Sequence, residues 1–453
     1  MEEERIIDDE LLKDLLEKKD YPQIRQLLTD MNEADIAEVM DDMENEDSLR
    51  LFRILPKSKA ADVFANLELD DQQYIIQALS ETEAANIIDN LMSDDAADLF
   101  EEMPANVVTR LLANARPDTR KDINHLLRYP EDSAGSVMTV EYVDLQEHMT
   151  VGDAIKKIRR VGLDRETVNT CYVVDKQKIL VGIVALRYLI MHDDEDVIGD
   201  FMNENVISIN TLDDQEEAAR MFQKYDFTAM PVVDNEGRMV GIITIDDVVD
   251  ILEEEATEDI EKMAAILPTD KPYLRMTVFE TYKKRMPWLL LLMISATFTG
   301  MIITSYEQAL ASYVILTAYI PMLMDTGGNA GSQASVSIIR GISLQEIEFS
   351  DIFEAIWKEI RVAVLCGCTL AVTNFAKLLV FDRVGLPIAC IVCMTLVLVV
   401  MIAKIVGCTL PLIAARIGFD PAVMASPLIT TIVDAISLTV YFLIATHLLH
   451  IAV

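Results

Sequence analysis

From about residue 286 onward the chain runs through five apolar stretches, near 286–306, 309–338, 360–381, 387–414 and 422–448. Each reaches about 20 residues or more, enough to cross the roughly 30 Å hydrocarbon core of a bilayer as a helix. Inside lipid every backbone N–H and C=O must find its partner within the protein, which leaves only helices or a closed barrel. Stretches of this length specify helices, so residues 283–453 are expected to form an all-α transmembrane domain with five helices. Lys283, Lys284 and Arg285 precede the first stretch. Arg340, Lys358, Arg361 and Arg416 then fall on the same side, which the positive-inside rule makes cytoplasmic. The odd number of spans puts the C-terminus outside.

Charge divides the chain at the same place. Of 75 Asp/Glu and 38 Lys/Arg, only 11 acids and 10 bases lie from Met276 onward, so nearly all of the net charge of −37 belongs to residues 1–275. So acidic a surface repels nucleic acid and anionic lipid and attracts cations. The opening MEEERIIDDE is acidic and lacks an apolar core, so no secretory leader is expected. The soluble part should therefore stay in the cytoplasm, attached to a multi-pass protein of the cell membrane with lipid around its spans. Cys366/Cys368 and Cys390/Cys393 read as small apolar residues of spans, because the His or further Cys ligands of a metal site are missing.

Residues 1–132 hold short amphipathic units. ADIAEVMDDM, AADVFANLEL, AANIIDNLMS and AADLFEEMPA share one pattern, with DSLRLFRILP and DQQYIIQALS between them. Units of about a dozen residues cannot bury their own apolar faces and should stack as an α-solenoid. After RYPEDSAGSVMT the pattern changes to strands alternating with helices. YVVDKQKILVGIVALRYLI and PVVDNEGRMVGIITIDDVV repeat with an offset of 59 residues, each with a Val-Val-Asp run, a turn, Val-Gly-Ile and a helix. This repeat resembles a tandem pair of α/β cystathionine-β-synthase (CBS) domains, assigned to 133–200 and 201–254. Such pairs usually sense ligands, often adenosyl nucleotides or ions, which makes ATP a candidate there. Residues 255–282 are expected to connect to the membrane, with a helix over 255–265.

Two places carry the chemistry. PMLMDTGGNAGSQAS (321–335) sets glycine and polar residues inside the second span. Pro321 should free the carbonyl of Thr317, and Gly327, Gly328 and Gly331 should permit close approach or local unwinding. Gly327-x-x-x-Gly331 also fits the spacing of helix packing. Packing needs neither Asn329 nor Gln333, so Pro321, Gly328, Asn329, Gly331 and Gln333 are read as lining a pore. In the fifth span Asp434 follows Asp420 by 14 residues, which places it near mid-membrane. An intramembrane carboxylate costs at least about 2.5 kcal/mol to insert and is a functional candidate by default. In the soluble part Asp250, Glu254 and Glu258 are spaced i, i+4, i+8, with Asp247, Glu255 and Asp259 nearby. Like charges at that spacing destabilise a helix until a cation sits between them. Asp94 and Asp98 repeat the spacing in the solenoid, where Asp62 holds the equivalent repeat position.

With GGNAGSQ after Pro321 and DPAVMASPLITTIVD ending at Asp434, the whole chain resembles the MgtE family of magnesium channels and transporters. The resemblance implies a homodimer whose second and fifth spans line one pore on the dimer axis, with Asp434 holding Mg²⁺. It implies Mg²⁺ uptake that cytoplasmic Mg²⁺ shuts off. The implied sensing ligands are Asp62, Asp94, Asp98, Glu216, Asp226, Asp247, Asp250, Glu255, Glu258, Asp259 and Asp420. Asp325 falls outside the family pattern.

No enzyme is expected. An intramembrane aspartyl protease pairing Asp325 with Asp434 would need a Gly-x-Gly-Asp signature, which is missing, and would leave the CBS pair without a purpose. A CBS-regulated carrier of another divalent cation or of an anion is the alternative, although an anion calls for cationic groups at mid-membrane. HDDEDVIGDFMNE does not place acids and glycine as an EF-hand requires.

Overall fold

The computed structural model describes residues 11–269, 271 and 273–450, so the acidic opening MEEERIIDDE lies outside the described residues. The chain forms two compact units, Met1–Leu252 and Glu253–Val453. The first unit begins with a run of short helices: α1 (Tyr21–Asp30), α2 (Glu33–Asp41), α3 (Asn45–Ile54), α4 (Ala60–Ala65), α5 (Leu69–Ala78), α6 (Glu81–Ile88), α7 (Ser93–Glu101), α8 (Ala105–Asn114) and α9 (Pro117–Leu126). Each packs on the helix two further along, α1 on α3 through α7 on α9. One apolar core runs through the stack from Leu12 to Ile123. Asp, Asn and Ser residues cap several of the helices, as Ser80 does in a reciprocal box with Glu83. The expected solenoid forms.

The strand–helix repeat follows with β1 (Asp144–Leu145), α10 (Val151–Val161), β2 (Thr170–Val174), β3 (Leu180–Ala185), α11 (Leu186–Met191), β4 (Ile209–Asn210), α12 (Gln215–Tyr225), β5 (Ala229–Val233) and β6 (Met239–Thr244). In each copy the short first strand pairs parallel with the second, and the second pairs antiparallel with the third. Both copies carry an irregularity at the same step, Val173/Val174 and Val232/Val233. The two Val-Gly-Ile glycines have a shared physical reason. A Cβ on Gly182 would lie 2.7 Å from Sδ of Met202, and one on Gly241 would lie 2.7 Å from Sδ of Met138 and 2.6 Å from the Thr139 carbonyl oxygen. The methionine that enters each repeat thus packs on the glycine of the other repeat, and no side chain fits between them. Tyr172, Val174, Met239 and Ile242 form a further core that joins the two copies.

Helix α13 (Ile245–Met263) starts directly after β6. The helix expected over 255–265 is therefore the end of a longer one, and the described residues between Met263 and Val278 are not helical.

The second unit contains α14 (Val278–Ser305), α15 (Glu307–Ser312), a 3-10 turn (Val314–Tyr319), α16 (Ile320–Ser343), α17 (Ile352–Val380), α18 (Leu386–Arg416), a 3-10 turn (Pro421–Met424) and α19 (Ser426–Leu449). Four helical segments are long and apolar enough to cross a membrane, Val278–Ser305, Phe349–Val380, Leu386–Arg416 and Pro421–Leu449, among the described residues. The second expected span is α16, 24 residues long. It lies against both α18 and α19, while α17 packs on α18 and α14 on α19.

Two expectations for α16 are corrected. Pro321 falls in its first turn, where proline fits because no helical donor is needed there. The Thr317 carbonyl is not freed, since it accepts a hydrogen bond from the Ile320 N–H. Nor does the glycine run unwind, because neighbouring helices occupy the space its missing side chains leave. A Cβ on Gly327 would lie 2.7 Å from Val399 Cγ1, one on Gly328 2.9 Å from Thr430 Cγ2, and one on Gly331 2.8 Å from Ile429 Cγ2. Gly407 of α18 approaches so closely that a Cβ there would collide with the Gly331 carbonyl oxygen. Gly407→Val must push these backbones apart and is expected to cost about 3 kcal/mol or more. Gly300→Ala, with nothing within 4 Å of its new carbon, should leave stability unchanged. Thermal unfolding in detergent compares the two variants, and equal melting temperatures would contradict the tight crossing.

Candidate cation pathway and acidic clusters

The packing of α16 sorts its residues by face. Gly327, Gly328, Ala330, Gly331, Ala334 and Ser335 are buried, while Pro321, Asp325, Asn329 and Gln333 are exposed at steps of four along one stripe. On the buried side, the Ser335 hydroxyl donates to the Met424 carbonyl at 3.2 Å, and Tyr441 on α19 donates to the Leu316 carbonyl at 3.0 Å. Asp434 is half-buried on α19, one turn from the Thr430 that meets Gly328. Asp325 is close enough for its charge to act on Asp434. Asp434 thus lies near Gly328, with Asp325 within electrostatic reach. Asn329 and Gln333 line a cleft of about 490 Å³ between α16, α17 and α18, which Asp325, Thr369 and Lys404 also line. Lys404 pairs with Glu359 at 3.1 Å inside the helical bundle. The sequence reading did not single out this pair.

At the end of α13, Lys262 bonds to Glu258 at 2.5 Å and to Asp420 at 2.7 Å. Asp420 also accepts from the Ala422 N–H at 2.7 Å, which caps the turn before α19. Burial works against the Lys262 ammonium, but its bonds to Asp420 and Glu258 outweigh that and hold its pKa above the usual lysine range. Two expected sensing acids, Glu258 and Asp420, therefore meet at an ammonium. Glu255 and Asp259 lie on the same helix.

In the first unit, carboxylates from three places converge. Asp94 and Asp95 open α7, Glu141 and Glu166 belong to the first CBS repeat, and Asp246 and Asp247 open α13. Burial, with Asp247 next, pushes Asp94 well above the ordinary carboxylate range. Burial, with the Asp247 and Asp246 charges, pushes Asp95 up to about 6. Burial raises Asp247 to about 6 against its hydrogen bonds from Thr244, and burial with Asp246 and Asp247 raises Glu166 to about 7. Asp62 adds its charge to Asp95, and Asp250 adds its charge to Asp247. Glu141 ties the repeat to the solenoid by accepting from Ser93 Oγ at 2.7 Å and Thr139 Oγ1 at 2.6 Å. Of the expected ligands, Asp62, Asp94 and Asp247 join this cluster, and Asp98 is exposed one turn beyond Asp94. Glu216 instead forms an ion pair with Arg220 at 2.7 Å, and Asp226 ends α12 in the left-handed conformation. As the side chains stand, no three His, Cys, Asp or Glu residues among those described are gathered tightly enough to hold a metal ion. Asp95, Glu141 and Glu166 were not anticipated, because their partners are far away in sequence.

A helical solenoid and a CBS pair joined to apolar helices with an internal carboxylate define a membrane transporter with attached sensing domains. Family models agree over most of the chain: an MgtE intracellular N domain matches 31–132, CBS domains match 134–195 and 198–254, and the divalent cation transporter MgtE matches 320–444. The magnesium transporter MgtE of Thermus thermophilus is 37% identical over 97% of this chain and 98% of its own length. The magnesium transporter MgtE of Bacillus subtilis is 36% identical over 75% of this chain and 74% of its own. Among solved structures, the soluble part of a magnesium transporter aligns with TM-score 0.52 at 30% identity, covering 56% of this chain and 99% of that one. The cytosolic domain of the Mg²⁺ channel MgtE in complex with ATP aligns with TM-score 0.51 at 38% identity, covering 53% of this chain and 98% of that one. The chain belongs to the MgtE family, whose members are transporters and not enzymes.

The raised carboxylates fix a pH dependence. A carboxylate whose pKa is raised by folding holds more protons folded than unfolded, so its stability contribution is greatest below the unfolded value and declines as pH rises to the folded one. For Asp95 that window runs from 3.8 to about 6. Asp95→Asn is expected to raise the melting temperature of the full chain at pH 8 by about 2–4 °C and to leave it unchanged at pH 4. Melting curves across a pH series check this, and a destabilised variant at pH 8 would contradict it.

Proposed function

We propose that the chain carries Mg²⁺ across the membrane and that Asp434 is the resting place of the ion in the path. The observation that carries this reading is that Asp434 of α19 lies one turn from the close Gly328–Thr430 contact with α16, within electrostatic reach of Asp325. Mg²⁺ gives up water reluctantly and is usually held by one or two carboxylates with several waters kept. Two copies of Asp434 across a twofold axis would offer a charge of −2 to an ion of charge +2. A homodimer is part of this reading, since a twofold axis is what would bring two Asp434 carboxylates to one ion. Along the exposed stripe of α16 the amides of Asn329 and Gln333 would hold the ion's water shell. In this reading the soluble domains are cytoplasmic, as the basic flanks of the spans suggest.

Asp434→Asn keeps the size and loses the charge. It is expected to fold and to lower Mg²⁺ uptake at least about tenfold, read in magnesium-starved complementation and in liposome flux. Asn329→Leu should block as well. Normal uptake by Asp434→Asn would sink the assignment.

The acidic part acts as a brake in the same reading. Crowded carboxylates repel one another when cytoplasmic Mg²⁺ is scarce, and ions bridging them favour the compact state by mass action. The bridging acids are Asp62, Asp94, Asp98, Glu216, Asp226, Asp247, Asp250, Glu255, Glu258, Asp259 and Asp420. The related cytosolic domain solved with ATP supports ATP as a second ligand, at the CBS pair. Neutralising Asp247, Asp250, Glu255, Glu258 and Asp259 together should leave the protein conducting and open to proteolysis at Mg²⁺ concentrations that silence and protect the wild type. Limited proteolysis beside flux, across a Mg²⁺ titration, decides. Wild-type protection that ignores Mg²⁺ would leave the acids without a sensing role.

A further inference from the structure

Lys404 is the one charged residue of α18 between Leu386 and Arg416. Its side chain is 7% exposed, and that of its partner Glu359 on α17 is 13% exposed. An apolar pair of the same volume would fill this space without having to desolvate two charges, so packing alone does not account for it. The position of the ammonium does. Lys404 lines the cleft that Asp325, Asn329, Gln333 and Thr369 also line, and Glu359 is not part of that lining. Of the pair it is therefore the lysine that borders the polar stripe of α16. One turn along α18, Gly407 locks against Gly331 of the same stripe-bearing helix, and the carbonyl of Ala403, next to Lys404, also abuts Gly331. The charge is fixed relative to the stripe.

We propose that Lys404, held by Glu359, tunes the release of the transported cation. The inference rests on the reading that the α16 stripe belongs to the path. A cation there is attracted by Asp325 and Asp434, and a conducted ion must be bound weakly enough to leave. The fixed ammonium opposes that attraction, and its repulsion doubles for a divalent ion relative to a monovalent one. It thus keeps an acidic, oxygen-lined stripe from becoming a trap for Mg²⁺.

The test is Mg²⁺ flux in liposomes against Mg²⁺ concentration. In Lys404→Met/Glu359→Leu both charges are replaced by apolar groups, a change that buried pairs commonly tolerate. Its half-saturating concentration and its maximal rate should both fall about tenfold, the scale that an ammonium several ångströms from a divalent ion sets at an effective dielectric constant of about 20 once the Glu359 carboxylate has cancelled most of its repulsion. Lys404→Arg should keep wild-type values. Thr369→Lys adds a second ammonium to the cleft from an exposed position and leaves the buried pair untouched. It should raise the half-saturating concentration by a similar factor, and it keeps the proposal testable if the double variant does not fold. A folded double variant with wild-type kinetics, or one whose maximal rate alone falls, would make the pair a packing feature only. Unchanged kinetics in Thr369→Lys would overturn the proposal as well. Normal flux in Asn329→Leu would instead remove the stripe from the path. A block there, with no response in the Lys404 and Thr369 variants, would overturn this inference alone.

Discussion

The backbone contact between Gly331 and Gly407 sets what the membrane part can be. Helices bearing ordinary side chains stand about 8–10 Å apart, and small residues let them come closer. That approach buries one side of α16 in glycine and alanine, and leaves the other side to carry Pro321, Asp325, Asn329 and Gln333. A helix with side chains all round could not be both so tightly seated and so polar. Asp434 depends on a second close approach to the same helix, since the bare backbone at Gly328 is what lets Thr430 of α19, one turn from Asp434, come against α16.

A different imbalance governs the first unit. Its converging carboxylates come from the solenoid, from the first CBS repeat and from the start of α13, and their pKa values are raised chiefly by burial and by one another. Crowding and burial there make each further negative charge costly, so these carboxyls keep their protons to higher pH than ordinary carboxylates do. At the end of α13 the arrangement is reversed, because Lys262 already stands between Glu258 and Asp420. Any ion arriving there must compete with an ammonium that the chain itself supplies.

The sequence revealed whatever repeats or stands out locally. The solenoid units, the duplicated Val-Gly-Ile and the isolated Asp434 could each be read within a window of a few tens of residues. It misled where tertiary packing overrides local propensity. Pro321 and three nearby glycines suggested broken backbone, yet the proline sits in the first turn and the neighbouring helices hold the glycines in regular α-helix. It was silent where partners are remote. Nothing in the chain links Lys404 to Glu359, Gly407 to Gly331, or Glu166 to Asp247 before folding brings them together. Buried polar partners chosen at long range leave no periodicity to read.

The stacking of each solenoid helix on the one two places ahead bears on how the chain is made. Every contact in that stack is short in sequence, and structures dominated by local contacts fold quickly. Domains also fold from the N-terminal side during synthesis. The acidic stack can therefore be complete while the apolar helices are still to be translated. A folded, highly charged body would then precede the aggregation-prone half of the molecule, keeping the nascent chain soluble until its spans reach lipid.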